Sequence, residues 1–294
     1  MTYNKAKYIL YGVTVMNERS LYDRIRDIHH WIKYAPDTTE YVKYKTNIIF
    51  TGIKISDLYS ILCQARANLY YCELGDYGDI SSKDDLSMNL AKSFFIQNAL
   101  IYYNIAADYS WQVVWAYLND TIADSLPTDD LYEDCLVDCD YMELMLGLTL
   151  KQEYKLREFV KSFFNKNIIL KRIRPQYNYL KHRGTFFFNG LGLNDHEQSY
   201  YFSMEPQFYI DNNLPIMDKL TIPKVSRREI DLPEMMKLLE EFDNQFIEYC
   251  GSLFQMLLPK DYLSKTCQVT QIAMNPVNHF DEIISYNLKI IGKG

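Results

Sequence analysis

The chain has 294 residues, 48% of them hydrophobic and 23% charged, a globular balance that excludes a low-complexity or collagen-like polymer. Its formal charge of −7 excludes a protein that coats nucleic acid over its whole surface, because phosphate binding needs positive potential. The six cysteines are scattered through apparently packed segments, unlike the clustered cysteines of a secreted disulfide framework.

The length suffices for one large domain or two smaller ones. No run reads as an uninterrupted bilayer-length apolar stretch, so no membrane attachment is expected. The opening MTYNKAKYILYGVTVMNERS lacks a long apolar core with a small-residue cleavage site, and the chain therefore reads as cytoplasmic.

Helical periodicity dominates in chain order. Residues 18–35 place Leu21, Ile25, Ile28 and Trp31 or Ile32 on one face, with Pro36 just beyond. Residues 56–75 begin at a good cap, Ser56, and end at Gly75, with Leu58, Ile61, Leu62, Ala65 and Leu69 aligned. Residues 87–120 are apolar on most of their circumference, which predicts a central buried helix. An acidic helix follows over 128–148, then another over 152–167. A short helix is expected from Pro175 to Arg183, because proline fixes φ and suits a first helical turn. TFFFNG, QSYYFSM and QFYIDNN are aromatic-rich and bounded by turn residues, so a small β-hairpin or β-flap is expected at about 185–230. The last long helix spans 233–257, and TCQVTQIAM and EIISYNLKII read as strands. The expected class is mainly α: a helical bundle over 87–258 with that β insertion, an N-terminal helical region (1–86) packed on it, and a strand-like tail (259–294).

Chemistry concentrates in RPQYNYLKHRG (174–184). Asn178 and His182 are one helical turn apart and overlook the same patch, flanked by Lys181 and Arg183. No acidic residue occurs between Phe159 and Asn194, while Lys161, Lys166, Lys171, Arg172 and Arg174 lead into the motif. A neutral imidazole can take a proton, and guanidinium groups can stabilise a phosphate. That set suits acid–base work on RNA, whose 2′-hydroxyl is an internal nucleophile and needs no metal or other cofactor. Interleaved aromatics, Phe163, Phe164, Tyr177, Tyr179, Phe186, Phe187 and Phe188, could stack bases. The plainer alternative is a solvated basic helix end whose histidine caps the helix.

Two further features bear on the strip. Asp130, Asp134 and Asp138 form a row of like charges that wants a cationic neighbour, in the chain or across a dimer, or a divalent metal. Asp108, on the apolar helix, could pair with His182 or a motif arginine and orient it, or could serve a structural hydrogen bond. Cys135 and Cys139 lie one turn apart, but no second pair follows at zinc-site spacing, so no metal site is expected.

The run Asn178, Lys181, His182, Arg183 and Gly184, inside a mostly helical chain, resembles the Asn-x-x-Lys-His-Arg-Gly form of the HEPN domain signature. The resemblance implies a four-helix core, pairing into a homodimer, and a metal-independent endoribonuclease of the toxin or phage-defence type. It would make His182, Asn178, Arg174 and Arg183 catalytic, with Lys181, Tyr177, Lys171 and Arg172 on the substrate. Tyr177 stands where active members carry arginine, so Arg174 would have to take that place. Without it, the chain would be a helical interaction or ligand-binding protein that keeps the fold and lacks the chemistry.

Overall fold

The computed structural model describes residues 21–37, 40, 43–78, 81–119, 137, 139–188, 191, 201–202, 210–211, 220–221 and 228–262. The expected C-terminal strands, the row Asp130, Asp134 and Asp138, Cys135 and most of the aromatic insertion lie outside these residues.

Among the described residues the chain is mainly α-helical, as expected from its periodicity. The helices are α1 (Leu21–Ile25), a 3-10 turn (His29–Tyr34), α2 (Thr46–Glu73), α3 (Asp85–Leu118), α4 (Tyr141–Leu150), α5 (Tyr154–Lys166), α6 (Ile168–His182) and α7 (Leu232–Leu257). Between α6 and α7 lie β1 (Phe187–Phe188), β2 (Tyr201–Phe202), β3 (Leu220–Thr221) and β4 (Glu229–Ile230). β1 pairs with β4 in parallel, and β2 with β3 antiparallel.

Helices α2 and α3 run antiparallel and form the axis of the protein. At one end Asn47 Nδ2 donates to Tyr117 O over 2.7 Å; at the other, Cys72 Sγ donates to Lys92 O over 3.6 Å. Asp84 starts α3 by accepting from Ser87 N at 2.8 Å, satisfying one of the amides that a helix start leaves orphaned. Ile96, Leu100, Tyr103, Ala107, Val113 and Val114 are all buried, so α3 is enclosed on most sides, as its sequence predicts.

Helix α7 opens on Asp231, which accepts from Glu234 N, with a proline in its first turn. It brings Phe242, Phe246, Leu253 and Phe254 into the same core. Tyr103 of α3 meets Phe242 edge-on, with ring centroids 5.7 Å apart, and Trp31 of the 3-10 turn meets Phe254 at 5.0 Å. Helix α5 contributes Phe163, stacked on Tyr249 of α7 at 3.9 Å.

Several expected boundaries are corrected. The described part of the helix expected over 18–35 is two pieces, because residues 26–28 turn; the Arg24 carbonyl and the Asp27 carboxylate there accept from Arg66 of α2. Helix α2 starts at Thr46, ten residues before Ser56, and Ser56 lies inside it. The longer helix has the length and hydropathy of a membrane span, contrary to the absence of such a run expected from sequence, but half of that window is buried inside the protein. Its apolar character is that of a core helix. Of the acidic helix expected over 128–148, the described part is α4, which begins at Tyr141 and is capped by the Asp140 side chain accepting from Met142 N and Glu143 N; residues 128–136 and 138 lie outside the described residues.

One buried amide is only half satisfied. Asn104 is fully buried and donates to Leu100 O at 2.8 Å, while its Oδ1 has no hydrogen-bond partner. A buried acceptor without a partner costs about 1–3 kcal/mol, and a leucine of similar size removes it. Asn104→Leu is therefore expected to raise the urea midpoint of unfolding; a lowered midpoint would show that the amide is needed.

Candidate functional site

The predicted site sits on α6. Asn167 caps this helix through Oδ1, which accepts from Leu170 N at 2.7 Å, and Leu170 and Ile173 anchor its inner face in the core. The helix thus begins two turns before the expected start, and Pro175 lies in its interior. Proline there removes a bond to the Lys171 carbonyl, and the exposed position of Lys171 leaves that turn next to solvent. Arg183 N closes the helix on Tyr179 O at 2.8 Å, and Gly184 follows at φ +129°, a left-handed conformation that favours glycine.

At 100° per residue, Lys171, Arg174, Asn178, Lys181 and His182 lie on one side of α6. Lys171, Asn178, Lys181, His182 and Arg183 are exposed. Arg174 is engaged elsewhere. Its Nη1 and Nη2 donate to the Asp108 carboxylate of α3 at 3.0 and 2.6 Å, with both side chains about one-third exposed. Asp108 therefore pairs with a motif arginine, one of the two roles open to it from sequence. Two of the five guanidinium N–H groups are committed to it, and the pair carries no net charge. Arg172 is exposed and meets Glu234 of α7 at 2.8 Å.

Sequence reasoning did not find Arg228, which follows the insertion. Its guanidinium lies 4.7 Å over the Tyr179 ring and its Nη1 donates to Pro175 O at 3.1 Å and Gln176 Oε1 at 2.8 Å. Its backbone N–H donates to Tyr179 Oη at 3.0 Å. The Tyr179 ring also stacks on Phe186, with ring centroids 5.6 Å apart. Most of the strip's other aromatics turn inward. Phe186 and Phe188 are buried, Phe163, Phe164 and Tyr177 are packed against the core, and Phe187 is half-buried. Lys171, Arg172, Lys181 and Arg183 are exposed.

A different arginine anchors the interior. Arg66 of α2, with a side chain only 7% exposed, donates to Asp243 of α7 and to Asp27 at once. Asp243 also accepts from Tyr103 Oη at 3.0 Å. Its partners come from segments distant in the sequence, so no local pattern announces it.

None of the α6 residues lines the hollow of about 630 Å³ formed where α2 ends and α3 and α7 begin. Cys72, Lys92, Phe188, Met236, Lys237 and Glu240 contribute to its walls. Burial pushes the Cys72 thiol up to about 12, so no thiolate nucleophile is available there. Among the described residues, no three His, Cys, Asp or Glu side chains are placed to hold a metal ion.

Fold and site together define a mainly α-helical protein that presents a cationic helix end. No family profile, no curated protein and no solved structure matches the chain.

Proposed function

We propose that the chain is an HEPN-like, RNA-binding helical protein of the cytoplasm whose exposed α6 end holds phosphate and cleaves RNA without metal. In this reading His182 is the acid–base group, Asn178 positions a substrate oxygen, and Arg183 and Lys181 hold phosphate. Lys171 and Arg172 extend the binding strip, and Tyr177 supports it from below. Arg174 faces the site from its clamp on Asp108. The four-helix core, the β-flap and a homodimer that brings two such ends together belong to the same proposal.

The observation that carries it is the exposure of His182 and Asn178, one turn apart on a helix end whose own cations lie beside them with no acid in the local sequence. Labelled RNA incubated with purified protein in EDTA tests it: cleavage by the wild type is expected. Intact RNA across varied sequences, with the protein folded, rejects the nuclease.

A specific observation favours a second reading, a non-catalytic binding protein. Asp108 holds Arg174 in a neutral pair, and Tyr177 stands at the position where the resemblance calls for arginine. In that case RNA binds in the same assay and is recovered uncut.

A further inference from the structure

We infer that the hollow between α2, α3 and α7 binds a small amphipathic carboxylate, whose apolar body lies on the hydrocarbon wall and whose head meets Lys92 and Lys237. The site lies apart from α6 and does not depend on that helix binding RNA.

The volume of about 630 Å³ is that of a small-molecule site; such sites span about 300–1,000 Å³ and combine mostly apolar walls with a few converging polar groups. The walls here have that composition. Phe188 and Leu191 are buried, and Leu232 and Met236 are half-buried, so a ligand body would meet three aliphatic chains and a ring. Phe188 is held there by β1, which pairs with β4 directly before α7. Asn89 of α3 adds an amide that can donate or accept.

The charged groups decide the sign of the head. Glu73, Asp231 and Glu240 line the hollow together with Lys92 and Lys237. Glu73 is already paired with Arg24. Asp231 caps α7 by accepting from Glu234 N at 2.8 Å, and the positive end of that helix offsets its charge. Lys92, Lys237 and Glu240 make no ion pair among the described residues. Two ammonium groups therefore stand against one carboxyl, and burial with the neighbouring Glu73 shifts that carboxyl toward its neutral form. The surplus is one positive charge, which a single carboxylate matches. Ammonium–carboxylate hydrogen bonds are charge-assisted, and beside apolar walls they are less weakened by water than on an open surface.

Isothermal titration of the full chain with naphthoate, naphthamide and naphthylmethylammonium varies the head on one ring system. Naphthoate is expected to bind at least about tenfold tighter than the amide, the scale of one hydrogen bond between charged groups, with the ammonium weakest. Lys92→Met and Lys237→Met should each remove most of that preference and leave the amide within about twofold, because methionine keeps much of the apolar stem. Lys237 is exposed, so Lys237→Met tests the site even if Lys92→Met fails to fold. Glu240→Gln removes the opposing carboxyl and should tighten naphthoate alone. Equal affinity for the three probes, preference for the ammonium, or no binding at millimolar concentration overturns the inference. So does naphthoate binding that is unchanged in Lys237→Met.

Discussion

Arg66→Ala is expected to lower the free energy of unfolding by about 3–5 kcal/mol, the cost of removing one partner from a buried charge pair. Asp243 is 13% exposed and receives three contacts from the Arg66 Nε and Nη2 atoms, between 2.8 and 3.1 Å. Without them its carboxylate keeps, among the described residues, the Tyr103 hydroxyl. The same guanidinium reaches the Arg24 carbonyl at 2.7 Å and Asp27, so its loss also frees the N-terminal turn from α2. Urea unfolding followed by circular dichroism measures the effect, and a loss below about 1 kcal/mol would remove Arg66 from its structural role. Replacing the set by apolar residues, Arg66→Met with Asp243→Leu and Tyr103→Phe, is expected to recover much of the stability. A buried ion pair is often no better than packed hydrocarbon of similar volume.

The network also sets a response to acid. Burial pushes the Asp27 carboxyl up, but the hydrogen bond and charge of Arg66 outweigh it and hold the group below its ordinary value. A carboxylate depressed in the folded state contributes stability above its unfolded pKa of about 3.9, and that contribution is lost as pH falls through the lower folded value. Glu240 has the opposite sign. Burial and the neighbouring Glu73 raise it, so its ionisation costs stability as pH rises from about 4.3 through the folded value. Glu240→Gln should therefore stabilise the protein at neutral pH and leave it unchanged near pH 3, read as the difference between two urea midpoints.

Long, strongly patterned elements were legible in the sequence because each carries its own signal. Helix α7 has an acid, a proline and then an apolar stripe ending at Leu257; α3 is apolar on most of its circumference because it is enclosed on most sides. Boundaries failed where tertiary contacts overrule local chemistry. Ser56 reads as a cap, yet the chain is already helical from Thr46, and Gly52 inside that helix leaves room for the Tyr34 carbonyl, 2.6 Å from where a Cβ would stand. Pro175 reads as a start, yet Asn167 had already capped the helix. At the site, the spacing of Asn178 and His182 was legible because it is local. The Arg66 network, with partners 39 and 177 residues away, was not. Nor was the inward packing of the aromatics, since Phe163 finds its stacking partner, Tyr249, on α7, 86 residues away in the chain.

His182→Ala is expected to reduce RNA cleavage in EDTA by about 10²–10⁴-fold, the usual contribution of a general acid or base. The ring is exposed and makes no hydrogen bond among the described residues, so its removal should leave the unfolding midpoint unchanged and the effect readable as chemistry. The two arginines should then separate. Arg183 is exposed at the helix end, whereas Arg174 spends two donors on Asp108. Arg183→Ala should accordingly raise KM and flatten the salt dependence of binding, because a phosphate contact is lost. Arg174→Ala leaves the part-buried Asp108 carboxylate without its partner, adding a repulsive charge near the strip as well as losing a guanidinium. If Arg174 only ties α6 to α3, Arg174→Lys should keep kcat at the wild-type value and lower stability. If it meets the reacting phosphate, Arg174→Lys should lose kcat with the midpoint unchanged, since lysine cannot reproduce a planar fork held by a carboxylate. Cleavage that persists at the wild-type rate in His182→Ala assigns the nuclease activity to another site or another protein, and leaves α6 as a binding surface.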